Sequence, residues 1–225
     1  MRRDVSETIA KLGVLDEPAR WAAYVAVRTA DKPLSRAEVA ELAGISVRLA
    51  AFHLEKLLSE GFVEATYVRD EGPGVVGHPA KRYRPTTLEL TVAIPPRRYD
   101  LAAEILADAA DRGTASSPQD TLAVVAAEYG RQVGQQMTEG VDDGGLLTAL
   151  RGLGYEPAIN GDEVVLRNCP FRRVAQAQPE VVCRMNLAFV AGVLASSRTP
   201  ALHAVLSPSP ERCCVVVAPS TLASG

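Results

Sequence analysis

Four cysteines carry the reactive chemistry of this chain of 225 residues, and all lie in its second half. Cys169 stands in Asn168-Cys-Pro-Phe, Cys183 in Val181-Val-Cys, and Cys213 and Cys214 side by side. Thiolates bind soft metals and react with oxidants, so converging cysteines make either a metal centre or a redox group. No C-x-x-C is present, which excludes zinc-ribbon spacing and leaves plain packing of buried thiols as the competing reading. Cys183 falls near the start of a predicted apolar helix, Pro179 to Ala195, where the positive end of the helix dipole favours a thiolate. Cys213 and Cys214 open a predicted strand that runs to Ala218. Neighbouring strand residues face opposite ways, so one of these two is expected to join Cys169 and Cys183.

A second constellation lies far upstream, in Ser35 to Gly61. Ser35 and Glu38 have the spacing of a capping box, which starts a helix. Gly44 can take the left-handed conformation that turns one helix into the next. From Ser46 the second helix is expected to turn Leu49, Phe52, Leu57 and Leu58 inward, with Ser46, Val47, Arg48, Ala50 and Ala51 at its outer N-terminal end. Small side chains there let a helix approach base edges, and Arg48 can fork onto guanine or phosphate. A strand, a glycine and proline turn and a second strand follow, with Arg69, His78, Lys81, Arg82 and Arg84 along the hairpin. Cations on such a wing can reach sugar-phosphate beside the groove. The residues expected to meet DNA are therefore Ser35, Ser46, Val47, Arg48, Ala50, Ala51, Arg69, His78, Lys81, Arg82 and Arg84. His53 joins them if it touches phosphate; the alternative is that it orients its helix by hydrogen bonding inside the domain. The competing reading of the helix pair is an ordinary all-α core.

Charge follows this division. Residues 1–100 hold 15 Lys and Arg against 14 Asp and Glu, while residues 101–225 hold 9 against 13, within a net charge of −3. From His78 to Arg98 five cations face one anion, Glu89, so the positive charge gathers where the wing would meet DNA. The chain has no apolar run near the ~18 residues a membrane helix needs, and it is expected to be a cytoplasmic protein.

The expected fold class is α+β: an N-terminal winged helix-turn-helix over residues 1–95, a helical linker and dimerisation region over 96–140, and a small α+β sensor domain over 141–225. Asp16-Glu-Pro should start a helix with Asp16 as cap, and Trp21 behind it should be core or partner-facing. Ile94-Pro-Pro should end the first domain. Two helices with apolar stripes, from Asp100 and from Pro118, would either pair two copies or cover the second domain.

The run from Leu15 to Pro85 resembles the winged-helix domain of the ArsR-like bacterial regulators, through His53-Leu54-x-x-Leu57 and Gly77-His-Pro-x-Lys-Arg-Tyr. Asn168-Cys-Pro-Phe, Val182-Cys183 and Cys213-Cys214 before a terminal strand resemble the C-terminal part of the SufR-related regulators. Iron-sulfur members of that group bind a cluster through spaced cysteines and repress cluster-assembly genes. The resemblance implies a homodimeric repressor on double-stranded, palindromic operator DNA, with an iron-sulfur cluster, or else zinc or no metal, at Cys169, Cys183, Cys213 or Cys214. Those relatives carry a further cysteine between the second and the last, and Arg184 to Arg212 contains none. His203 is the candidate ligand in that interval. The rival within the same class is a regulator with an organic effector in an apolar pocket. From other classes come a protein-binding winged helix and an enzyme; the G-x-G-x-x-G spacing of Gly72 to Gly77 falls in the glycine and proline turn between two expected strands and opens no helix, and G-x-S-x-G and H-E-x-x-H are absent from the sequence.

Overall fold

The computed structural model describes residues 5–68, 79–113, 117–138, 145–196 and 202–220. It is a mixed α+β protein in two compact units, Met1–Val92 and Ala93–Gly225. Arg69 and His78 lie outside the described residues.

In the first unit α1 (Val5–Val14) precedes three helices, α2 (Pro18–Thr29), α3 (Arg36–Ala43) and α4 (Val47–Ser59). An antiparallel hairpin follows, β1 (Val63–Val68) and β2 (Ala80–Pro85), in register from Val63 opposite Pro85 to Val68 opposite Ala80. Glu17, not the expected Asp16, caps α2: Pro18 needs the first helical position, and Glu17 accepts from the backbone N–H groups of Ala19 and Arg20 at 3.2 and 2.7 Å. Gly44 ends α3 at φ 67°. Val27, Val39, Leu54, Leu57, Val63 and Tyr83 fill the core between helices and hairpin. Trp21 is half exposed (50%), leaning on Tyr24 with ring centroids 5.7 Å apart.

The capping box of α3 is present. The Ser35 N–H donates to the Glu38 carboxylate at 2.8 Å, and the Ser35 hydroxyl accepts from the Glu38 N–H at 3.3 Å. The Ser35 N–H first, with Lys32 and Arg82 nearby, holds the Glu38 carboxyl down to about 2. A folded pKa below the unfolded value of 4.5 means that this stabilisation is complete above pH 4.5 and is lost as pH falls towards 2. Acid unfolding of the wild type and of Glu38→Gln should therefore converge as pH drops through that window; a constant gap between them would contradict it.

The second unit contains α5 (Tyr99–Asp111), α6 (Pro118–Thr138), α7 (Gly145–Gly152), β3 (Pro157–Asn160), β4 (Glu163–Leu166), α8 (Arg172–Ala177), α9 (Pro179–Ala195), β5 (Leu202–Leu206) and β6 (Val215–Pro219). The strands form one antiparallel sheet in the order β3-β4-β6-β5. Residues 96–140 are not a separate segment: Leu101 and Ile105 of α5 and Leu122 and Val125 of α6 lie in the same core as Phe189 and Val193 of α9 and Val215 and Val217 of β6. Helices α6 and α9 meet backbone to backbone. A Cβ on Gly130 would sit 2.1 Å from the Phe189 carbonyl oxygen, and one on Gly192 would sit 2.2 Å from that of Ala127. Among the described residues no helix is long and apolar enough to cross a membrane.

Candidate nucleic-acid interface and cysteine pocket

Helix α4 begins at Ser46, whose hydroxyl accepts from the Leu49 N–H at 3.2 Å. Its buried stripe is Ala50, His53, Leu54 and Leu57. This corrects the facing expected from the sequence: Ala50 is fully buried and Ala51 half-buried, whereas Leu49 and Phe52 are exposed, Phe52 at 63%. Alanine and histidine occupy the core positions, so the large apolar residues misled the reading of the stripe. His53 is 3% exposed, with Nε2 3.1 Å from the Glu17 carboxylate but neither ring nitrogen in a hydrogen bond among the described residues, so it packs against the start of α2 and is withdrawn from any DNA surface. Burial lowers its pKa, opposed by Glu17. Ser35 likewise spends its hydroxyl on the α3 cap.

The outer face of α4 holds Arg48, Phe52 and Glu55, all exposed and within about 60° of one another at 3.6 residues per turn. Val47 stands beside them at the helix start, also exposed. Arg48 has no hydrogen-bond or ion-pair partner among the described residues. The hairpin cations do have partners. Lys81 donates to Glu55 at 2.6 Å, Arg82 to Glu38 at 2.9 Å, and Arg84 pairs with Glu64 at 2.7 Å. Glu55 also accepts from the Tyr83 hydroxyl at 2.8 Å. Its carboxyl is lowered chiefly by Lys81, and Lys81 is raised chiefly by Glu55. Exposed pairs such as Arg84 with Glu64 and Lys81 with Glu55 are worth about 0–1 kcal/mol, so a phosphate can take either cation from its carboxylate at small cost.

In the second unit the four cysteines come together on one pocket of about 470 Å³. Cys169 sits in the turn after β4. Asn168 beside it donates to the carbonyls of Pro96 at 3.0 Å and Gly154 at 2.5 Å and accepts from Arg97 at 2.5 Å. Cys183 is in the first turns of α9. Cys213 and Cys214 both line the pocket, against the expectation that only one would. They precede β6, which starts at Val215, so strand alternation does not govern them. The Cys213 N–H instead donates to Leu166 at 2.9 Å. His203 is not a member: it is an exposed residue of β5 opposite Ala218, about 10 Å along the ladder from the start of β6 and away from the pocket.

Asn186 supplies a feature the sequence reading missed. It is fully buried, accepts from the Tyr155 hydroxyl at 2.5 Å, and donates to the Cys213 sulfur at 3.1 Å. Its signal was a lone amide in an apolar helix, three residues after Cys183 and hence on the same face. The neighbouring Cys169 thiol first, then Cys214 and Asn186, lower the Cys213 pKa. Cys169 and Cys214 are raised, mainly because they hold their protons towards Cys213 and are buried. Of the three buried thiols, Cys213 is thus the one whose thiolate its neighbours favour.

A set of soft thiols is the right donor chemistry for a thiophilic metal or an iron-sulfur cluster. As the side chains stand, no three or more His, Cys, Asp or Glu among the described residues are arranged to hold a metal ion. Cys169, Cys183, Cys213 and Cys214 are the residues that would hold such a group. Compared with known proteins, the chain matches no family model, no curated protein and no solved structure.

Proposed function

We propose that this protein is a homodimeric winged helix-turn-helix regulator, acting in the cytoplasm, that binds double-stranded operator DNA and changes its grip when the cysteine pocket receives a signal. The observation that carries the reading is the outer face of α4, with Arg48 unpartnered among the described residues at its N-terminal half, followed by a hairpin whose Lys81, Arg82 and Arg84 pair with the carboxylates of Glu55, Glu38 and Glu64. A helix presented in this way, with a cationic ribbon behind it, is the arrangement that reads a major groove and grips the flanking phosphates. The gathering of all four cysteines on one pocket supports the sensing half. The group received there is an iron-sulfur cluster or zinc, or the signal is oxidation of the thiols themselves. A bound metal would supply a link that draws Cys169, Cys183 and the Cys213-Cys214 pair together. Any such change is felt by α9, which carries Cys183 and Asn186.

The test has two parts. In-vitro selection from random duplexes should return a two-fold symmetric sequence whose affinity falls with salt on a log-log line; recovery of no preferred sequence would refute the DNA-reading half. Protein purified without oxygen should carry iron with sulfide, or zinc, or thiols that oxidise, and a Cys169→Ala, Cys183→Ala variant should lose the corresponding change in operator affinity. Identical binding curves for variant and wild type, with and without oxidant or metal, would refute the sensing half.

A further inference from the structure

Phe52 is the most exposed residue of its size on α4, and nothing in the fold requires it there. Single exposed apolar residues are common and need no explanation. Phe52 is not single: Val47 and Leu49 are exposed on the same half of the helix. Its ring is also oriented, meeting the buried His53 imidazole edge to face with centroids 5.4 Å apart. His53 is in turn packed into the core, with Nε2 3.1 Å from the Glu17 carboxylate. An aromatic ring fixed from below and open above is prepared to contact a partner at small ordering cost. Arg48 lies one helical turn before it, with no partner of its own among the described residues. The two side chains are separated by about 6 Å along the helix axis, close to two base-pair steps of ~3.4 Å each.

In the major groove only thymine presents an apolar group, its C5-methyl, and phenylalanine is among the side chains that read it. We propose that Phe52 is a specificity-determining residue that packs on a thymine methyl group, in the same half-site as the guanine that Arg48 reads. The inference rests on the DNA-reading function proposed above. A second protein chain fits this face less well. An extended apolar docking patch would continue along the helix, whereas beyond Val47, Leu49 and Phe52 the exposed face of α4 turns to Glu55 and Lys56, with Arg48 among the apolar residues.

The experiment uses the full chain and the duplex recovered by selection, with thymines replaced one at a time by deoxyuridine, which removes only the methyl group. Wild-type affinity is expected to fall about fourfold at one symmetric position per half-site, the effect of one buried methyl group. Phe52→Ala should bind the thymine duplex more weakly by a similar factor and should not distinguish thymine from uracil at that position. Phe52→Leu should retain part of the discrimination. Equal wild-type binding to every uracil duplex would overturn the proposal, as would undiminished discrimination by Phe52→Ala. Failure to select any sequence would remove the DNA-reading function itself, and this inference with it.

Discussion

Gly130→Ala is expected to destabilise the second unit by about 3 kcal/mol, at the upper end of what overpacking ordinarily costs. The added Cβ would fall 2.1 Å from the Phe189 carbonyl oxygen and 3.0 Å from the Val193 nitrogen. Both are backbone atoms of α9 and cannot turn aside as a side-chain end would. Relief requires α6 and α9 to part, which exposes Val125, Phe189 and Val193 of the shared core. Gly192→Ala should behave alike, because its Cβ would meet the Ala127 carbonyl oxygen from the other side. Urea unfolding followed by circular dichroism checks the loss. Trp21 is the single tryptophan and lies in the first unit, so its fluorescence transition should move little. Unaltered circular-dichroism midpoints for both variants would show that the helices do not meet as described.

Arg48→Ala should weaken binding to the selected duplex by about 2 kcal/mol per half-site, or roughly 30-fold, if the guanidinium forks onto guanine. Because Arg48 has no protein partner among the described residues, its removal breaks nothing inside the fold, and the loss reports on the DNA contact alone. Salt dependence separates the two contacts open to it. Loss of a base contact leaves the log-log slope unchanged, whereas loss of a phosphate contact reduces its magnitude by about 0.9. The expected result is an unchanged slope and intact weak binding to random DNA. Equal affinity of variant and wild type for the selected duplex would take α4 out of the groove. The hairpin cations should behave differently: under the same proposal Lys81→Ala would remove a phosphate contact and would also leave the Glu55 carboxylate on the outer face of α4 without its cation.

The elements that could be read from the sequence are those whose local signals agree. The capping box at Ser35, the left-handed Gly44 and the boundaries of α9 from Pro179 to Ala195 all stand as read, since each is set by residues within a few positions. The facing of α4 was misread because its core side is lined by Ala50 and His53 while Phe52 points outward, so the apolar period and the buried period differ. Strands β3 and β5 were missed; each is a short sheet-edge strand paired on one side only, with weak alternation of its own. Gly130 and Gly192 look in sequence like weak points of two helices, and their meaning lies in a partner more than fifty residues away. The site shows the same limit. Cysteine chemistry was legible, but that Cys213 and Cys214 share a pocket depends on where β6 begins, and Asn186 acquires its role only from Tyr155 and Cys213 across the fold.

The wall of the cysteine pocket is held differently from its floor. Between β5 and β6 the chain passes through Pro208 and Pro210, which have no N–H to offer a ladder. Arg172 donates to the Pro210 carbonyl at 3.0 Å, and Arg212 donates to the carbonyls of Ser207 and Cys213 at 3.1 Å each. Behind the loop, Cys213 and Asn186 belong to the packed core. Two long side chains can release a loop at far lower free energy than a sheet can open. The wall is thus held by two arginines and by the Ser207 N–H, which donates to the Cys214 carbonyl at 2.6 Å, whereas the floor is held by core packing and the sheet.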